Sequence, residues 1–311
     1  MAATSEAIPA VSRLPAVARK HRTLWGDVWR QFRKHKPAMF GAFVLSVLIL
    51  AVFLGPYIYT VSPETIDIVN ASLSPSLTHP FGTDDLGRDL LAQNLYGGRI
   101  SITVGIVAML IAITFGSTVG ALAGYFPVVD NPLMRLTDMF LALPQLPLLL
   151  VIILLFRDTL RATFGPVIGI FLLIVFVIGI LGWMATARVV RGSVLSIKEK
   201  EFVEAAECIG SHQGKILARH IFPNVLSPII VSATLTVAAS ILTESALSFL
   251  GLGFPSDVPT WGRLLADGKD FLTQNPYVVL WPGLFISLTV LSINFMGDGM
   301  RDALDPRLRN K

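Results

Sequence analysis

The chain has 311 residues, 53% of them hydrophobic and only 15% charged, with a formal net charge of +4 and a mean hydropathy of +0.67. A soluble domain carries roughly a quarter charged residues, so this composition excludes an ordinary soluble enzyme. The surplus cations flank apolar stretches without aromatic interleaving, which argues against a nucleic-acid surface, and the single Cys208 excludes an intrachain disulfide.

Residues 1–36 read as a cytoplasmic N-terminal tail, flexible over its first 23 residues. The charged lead is too long for a cleavable signal peptide, and the apolar stretch that follows is long enough to span. No Asp, Glu, Lys or Arg occurs from Pro37 to Pro63, Ile100 to Val129, Met139 to Phe156, Ala162 to Ala187, Val225 to Thr243 or Phe271 to Gly297. Each run is close to, or longer than, the ~20 residues a helix needs to cross a bilayer. Backbone groups in lipid must be satisfied within the segment, so these runs are expected to be helices. The expectation is an all-α integral membrane protein with six transmembrane helices. Its parts are the tail (1–36), a first span with an outer loop (37–99) and a core of five spans (100–311).

Lys and Arg placement sets the orientation. Cations crowd the tail, the segment 188–224 and the C-terminus. Arg88, Arg99, Arg157, Arg161, Arg263 and Lys269 are left for the outer side. Both termini of a multi-pass protein are therefore expected in the cytoplasm.

Along the chain, the outer segment after the first span reads as ordered loop with one short helix after Asp85. It carries His79-Pro80-Phe81-Gly82-Thr83-Asp84-Asp85-Leu86-Gly87-Arg88-Asp89. Asp84, Arg88 and Asp89 are candidates either to pair and hold the loop rigid or to seat an extracytoplasmic partner. A cysteine placed at Thr83 is expected to react from outside. His79 has no ligand-spaced partner, a weak basis for a metal.

Gly116, Gly120 and Gly124 recur every four residues in the second span and predict a close helix contact. Pro144 and Pro147 predict a bend in the third, between short connections near Asp130 and Arg157. The loop 188–224 contains two amphipathic stretches. In the first, Phe202, Val203, Ala206 and Ile209 share a face opposite Lys200, Glu201 and Glu204. The second, Lys215 to Phe222, is expected to stop at Pro223. Acidic residues disfavour an anionic lipid surface for this loop and favour a protein groove. Glu244 is the carboxylate nearest the apolar run of the fifth span, and either an outer gate or a polar anchor fits it. Near the C-terminus, Arg301 with Asp298, Asp302 and Asp305 is expected to cap the last helix.

Gly210-Ser211-His212-Gln213-Gly214-Lys215-Ile216 has one residue too few between its glycines and no Ser or Thr for a phosphate loop. No nucleophile, base and orienter fall together, so the chain is not expected to be an enzyme.

Glu204-Ala205-Ala206, then Gly210, then Ile221-Phe222-Pro223-Asn224 resembles the EAA loop of ABC-importer permeases. The outer segment, Glu244 to Gly253 and Asn294 to Pro306 are similar to the C-type permeases of dipeptide, oligopeptide and nickel importers. The resemblance covers the chain from about Lys34 onward and implies a type I ABC importer permease fold. It implies a second, homologous permease, two ATPase subunits holding ATP and Mg, an extracytoplasmic binding protein, and no cofactor on this chain. Glu204, Ala205, Ala206, Gly210, Ile221 and Pro223 would then couple to the ATPase. The implied cargo is peptide, with glutathione-like compounds, nickel chelates and opine-type conjugates also within the family's range, and the ATPases either identical or different. The alternative class is an ion-gradient-driven transporter or channel, which calls for mid-span charges that the runs above lack.

Overall fold

The computed structural model describes residues 24–304; the expectations for residues 1–23 and for Asp305 lie outside the described residues. Among those described, the only extended pairing is an isolated bridge between Thr83 and Asp89, and the rest is helix and loop. A short amphipathic helix α1 (Leu24–Lys34) ends at His35, whose extended backbone and Nδ1 cap helix α2 (Lys36–Ile58) by accepting from the Ala38 amide. A long connection leads to α3 (Leu90–Tyr125), followed by α4 (Pro127–Ala142), α5 (Gln145–Phe164) and α6 (Pro166–Lys198). The short α7 (Glu201–Cys208) precedes α8 (Gln213–Ile216), which runs through a π-helical turn into α9 (Phe222–Phe249). Helices α10 (Trp261–Gly268) and α11 (Tyr277–Leu304) complete the described chain.

Five of these elements are long and apolar enough to cross a membrane by themselves, α8 and α9 counting as one, and the bent pair α4–α5 makes six. The third span is broken rather than merely bent. Its halves meet at 87°, and the charge-free run Met139 to Phe156 straddles the break. Leu143 precedes Pro144 and takes extended backbone, as a residue before proline prefers. Consequently Asp130 and Arg157 lie inside α4 and α5, not in connections. The connections are single residues, Phe126 and Gly165.

Two other expectations are corrected. The helix after Asp85 is the first turn of α3, a helix of 36 residues capped by Asp89, so 99 and 100 fall within one element. Nor does Pro223 stop the preceding helix. Phe222 N–H reaches back five residues to Leu217 O, a widened turn that accommodates a proline lacking its own donor.

Helices α3 and α6 run parallel and form the centre of the bundle. Val104, Ala108 and Val119 pack with Ile174, Ile178 and Ala187, and α5 adds Leu149 and Ile153. The glycine row of α3 makes the approach. An added Cβ at Gly116, Gly120 or Gly124 would stand 2.6 Å from Trp183 O, 2.4 Å from Ala187 O or 2.8 Å from Val194 Cβ. Gly120→Val is therefore expected to force the pair apart at a cost of about 2 kcal/mol or more. The check is the melting temperature of the detergent-purified protein, and an unchanged value would mean the helices yield freely.

Phe32 of α1, Ala38 of α2 and Ala303 of α11 form one cluster, so both ends of the described chain meet at one end of the bundle. Four alternating crossings, α2, α3, α4–α5 and α6, bring α7 to that same end. Asp302 there faces His35 at 3.6 Å.

Candidate functional site

At the α7 end, α6 finishes with Lys198, whose Nζ donates to Tyr125 O at 3.0 Å and lies over the Tyr125 ring. Helix α7 rests on this corner through Val203 and Ala206, which are buried among Tyr125, Val194, Ile216 and Ile221. Phe202 and Ile209 are 45% and 82% exposed, and Ala205 lies between them on the outward side. The apolar face expected from the sequence thus splits: half holds the helix to its own bundle and half is unpartnered. Glu201, Glu204 and Glu207 are exposed around the free half.

The turn after α7 requires a left-handed residue. Gly210 has φ +76°, Ser211 N–H donates to Ala206 O, and Gly210 N–H donates to Glu207 O, a Schellman arrangement that a Cβ disfavours. Of the six expected coupling residues, Ala206 and Ile221 are core, while Glu204, Ala205, Gly210 and Pro223 face outward.

Beside this corner α4 is clamped to α6. Arg191 makes a two-pronged pair with Asp130, its second nitrogen 2.6 Å from Oδ2, and Arg188 pairs with Asp138. In the sequence these arginines signal orientation only; their acidic partners lie 50 and 61 positions away. A cleft of about 340 Å³ opens beyond the break, between α4–α5, α6 and α9, with Gln145, Met184, Thr186, Ser232, Thr236 and Thr243 among its lining. It has hydroxyl and amide groups and no charged side chain.

At the far end of the bundle, the 59–89 connection is organised by two carboxylates that do not meet. Asp84 accepts from the amides of Leu86 and Arg88, from Arg88 Nε at 2.7 Å and from Gln93 Nε2 at 2.8 Å. Asp89 accepts from Tyr59 OH at 2.7 Å and from the Ala92 amide, and bonds His79 Nδ1 at 2.8 Å. Burial, reinforced by the Asp89 bond, pushes the Tyr59 phenol above its ordinary range. Asn275 donates to Thr83 O, Trp281 donates to Phe81 O, and the Phe81 and Trp281 rings stack 3.9 Å apart. The loop is thereby pinned to the start of α11. Thr83 is fully buried, with its hydroxyl bonded to Asn70 O, so it is the wrong site for a surface label; Leu77, fully exposed, serves instead.

Burial, then the neighbouring Asp84 charge, raises the Asp85 carboxyl above the usual carboxylate range. A carboxyl raised on folding contributes stability below its ordinary value of about 4 and loses it as pH rises past the raised value. Asp85→Asn is accordingly expected to raise the melting temperature slightly at neutral pH and to leave it unchanged in acid. A lower melting temperature at neutral pH would reject that.

Glu244 lies at this far end of α9, fully buried. Ser248 Oγ donates to one carboxyl oxygen at 2.7 Å and Ser101 Oγ to the other at 3.1 Å. Ser101 Oγ also accepts from Trp261 N–H, so one chain of bonds joins α3, α9 and α10.

Comparison with known proteins gives a consistent result. A family model described as "Binding-protein-dependent transport system inner membrane component" matches residues 112–310, and one described as "N-terminal TM domain of oligopeptide transport permease C" matches residues 23–75. The oligopeptide transport system permease protein OppC of Escherichia coli (strain K12) is 40% identical, over 93% of each chain. The dipeptide transport system permease protein DppC of Bacillus subtilis (strain 168) is also 40% identical, over 91% of this chain and 86% of that one. A chain solved in inward-facing conformations of the MetNI methionine ABC transporter superposes with a TM-score of 0.55 at 16% identity, over 70% of this chain and 96% of that one. At that identity the last match speaks for the fold alone.

Proposed function

This chain belongs to the family of binding-protein-dependent transport system inner membrane components, and from that premise we propose that it is one membrane half of an ATP-driven peptide importer. Peptide is the cargo named for the oligopeptide and dipeptide permeases it resembles. The uncharged cleft, mainly apolar with hydroxyl and amide groups among its lining, suits a path for chains of varied side chains, since those groups match peptide backbone without fixing a charge. A second permease would close the open side of that path, and a binding protein would deliver the cargo at the far end.

The observation that carries the reading is the unpartnered half of α7. A short helix whose exposed Phe202, Ala205 and Ile209 are ringed by carboxylates fits a groove with an apolar floor and a polar or basic rim. Its neighbours on both sides are spans, α6 before it and α8–α9 after it. Movement of a partner gripping α7 would therefore pass directly into two membrane helices as a rigid-body shift. ATP and Mg belong on that partner. In this reading the α7 end and both termini face the cytoplasm of a bacterial inner membrane.

Purification from the native membrane is expected to recover a second multi-span protein and one or two ATP-hydrolysing subunits in stoichiometric amounts. Recovery of the chain alone, after cross-linking at α7 through the exposed Cys208, would remove the reading. Orientation is checked independently with Leu77→Cys, which an impermeant thiol reagent is expected to label in intact spheroplasts; labelling only after permeabilisation would invert the topology.

A further inference from the structure

We propose that α1 is a headgroup-binding helix that holds anionic phospholipid against the start of the first span. The transport reading makes no use of α1; the proposal requires only that its end of the bundle lies at a membrane surface.

The roll of α1 is fixed by one side chain. Phe32 is 5% exposed, packed with Ala38 and Ala303, and its ring edge lies where a Cβ on Gly299 would stand, at 3.2 Å. Val28 and Gln31 are half-buried on the same side. The opposite face therefore points away from the bundle. It carries the exposed Arg30, Arg33 and Lys34, at spacings that place the three cations on one arc, with Trp29, 56% exposed, at its rim, where the indole stacks on the Phe32 ring. Lys36, the first residue of α2, is also exposed.

The depth of this face follows from α2. No charged residue occurs between Pro37 and Pro63, so the hydrocarbon layer starts within about a turn of Lys36. His35 interrupts the helix with extended backbone, so α1 departs at the junction instead of continuing the span outward. A cationic face with an exposed tryptophan at its edge then sits at headgroup level. Indole is suited to that boundary. Cations beside a span attract anionic lipid, each by an amount equal to about fivefold in affinity. Asp27 is the one acid in the α1 sequence. An acidic protein surface is the competing partner for such a face, but the depth set by α2 already places the headgroup layer beside it.

The test uses the complete transporter, exchanged from membranes containing phosphatidylglycerol and phosphatidylethanolamine into mild detergent, with bound lipid measured by mass spectrometry. The unmodified protein is expected to retain phosphatidylglycerol in excess. Combined Arg30→Gln, Arg33→Gln and Lys34→Gln is expected to reduce that excess about tenfold or more, while Arg30→Lys with Arg33→Lys preserves it. Equal retention by the unmodified and glutamine forms overturns the proposal. So does loss of a protein subunit from the glutamine form with lipid retention intact, which assigns the face to a protein. If the glutamine form does not insert, the unmodified protein decides: an excess that falls steeply as salt rises supports headgroup pairing, and one indifferent to salt overturns it.

Discussion

Gly210→Pro is expected to lower transport-coupled ATP hydrolysis at least about tenfold, without preventing insertion of the spans. Gly210 stands at φ +76° and its N–H donates to Glu207 O at 2.9 Å. Proline fixes φ near −65° and has no N–H to give, so the turn that aims α7 relative to α8 must rearrange. Nothing lies within 4 Å of a Cβ placed at Gly210, which makes the requirement conformational and not steric. Milder substitutions should therefore rank by their tolerance of left-handed backbone, with Asn closest to Gly and Ala costing roughly 1–2 kcal/mol. A companion variant separates turn from surface. Ile209→Asp alters a side chain 82% exposed, so this chain should fold normally while its association with an ATPase partner weakens. Uptake and nucleotide hydrolysis in proteoliposomes report both. Normal coupling in Gly210→Pro would mean that the geometry of this turn does not matter, and normal assembly of Ile209→Asp would mean that the exposed strip is not the contact.

What the sequence makes legible here is whatever depends on local pattern. Charge-free runs locate the spans because hydrocarbon excludes charge over a fixed length, and Pro144 marks the break because proline acts on its immediate neighbours. Gly210 is readable for the same reason. Distant partners leave no such trace. Asp89 takes the Tyr59 hydroxyl, 30 positions away, and Arg191 takes Asp130, 61 positions away. The sequence offered Asp84, Arg88 and Asp89 as one group because they are adjacent, whereas the fold divides them between two centres. The split face of α7 is a related case. Val203 and Ile209 are both apolar and share an arc, and the packing of α3, α6 and α8–α9 around the corner decides which of them is covered. Pro223 misled by being read as a stop, since a widened turn can carry a helix past a missing donor.

Glu244 is where two readings stay opposed in the sequence and where one pair of variants separates them. A gating carboxylate needs water or cargo within reach and an oxygen free to meet it. Glu244 has neither: it is fully buried and hydrogen-bonded at both oxygens, through Ser248 and Ser101. As an anchor it should matter through shape and hydrogen bonding. Glu244→Ala leaves two hydroxyls without an acceptor and a void between α3, α9 and α10, an expected loss of about 3–5 kcal/mol. Glu244→Gln keeps the volume and one carbonyl, and Ser101 or Ser248 needs only to turn its hydroxyl to accept from the amide; about 1 kcal/mol is expected. The damage from Glu244→Ala should spread, because Ser101 also receives the Trp261 amide and so fastens the start of α10. The expected result is a large fall in melting temperature and in uptake for Ala, with Gln close to the unmodified protein in both. If Gln instead keeps the melting temperature and loses uptake, the carboxylate acts on the transported species or its path, and the anchor reading fails.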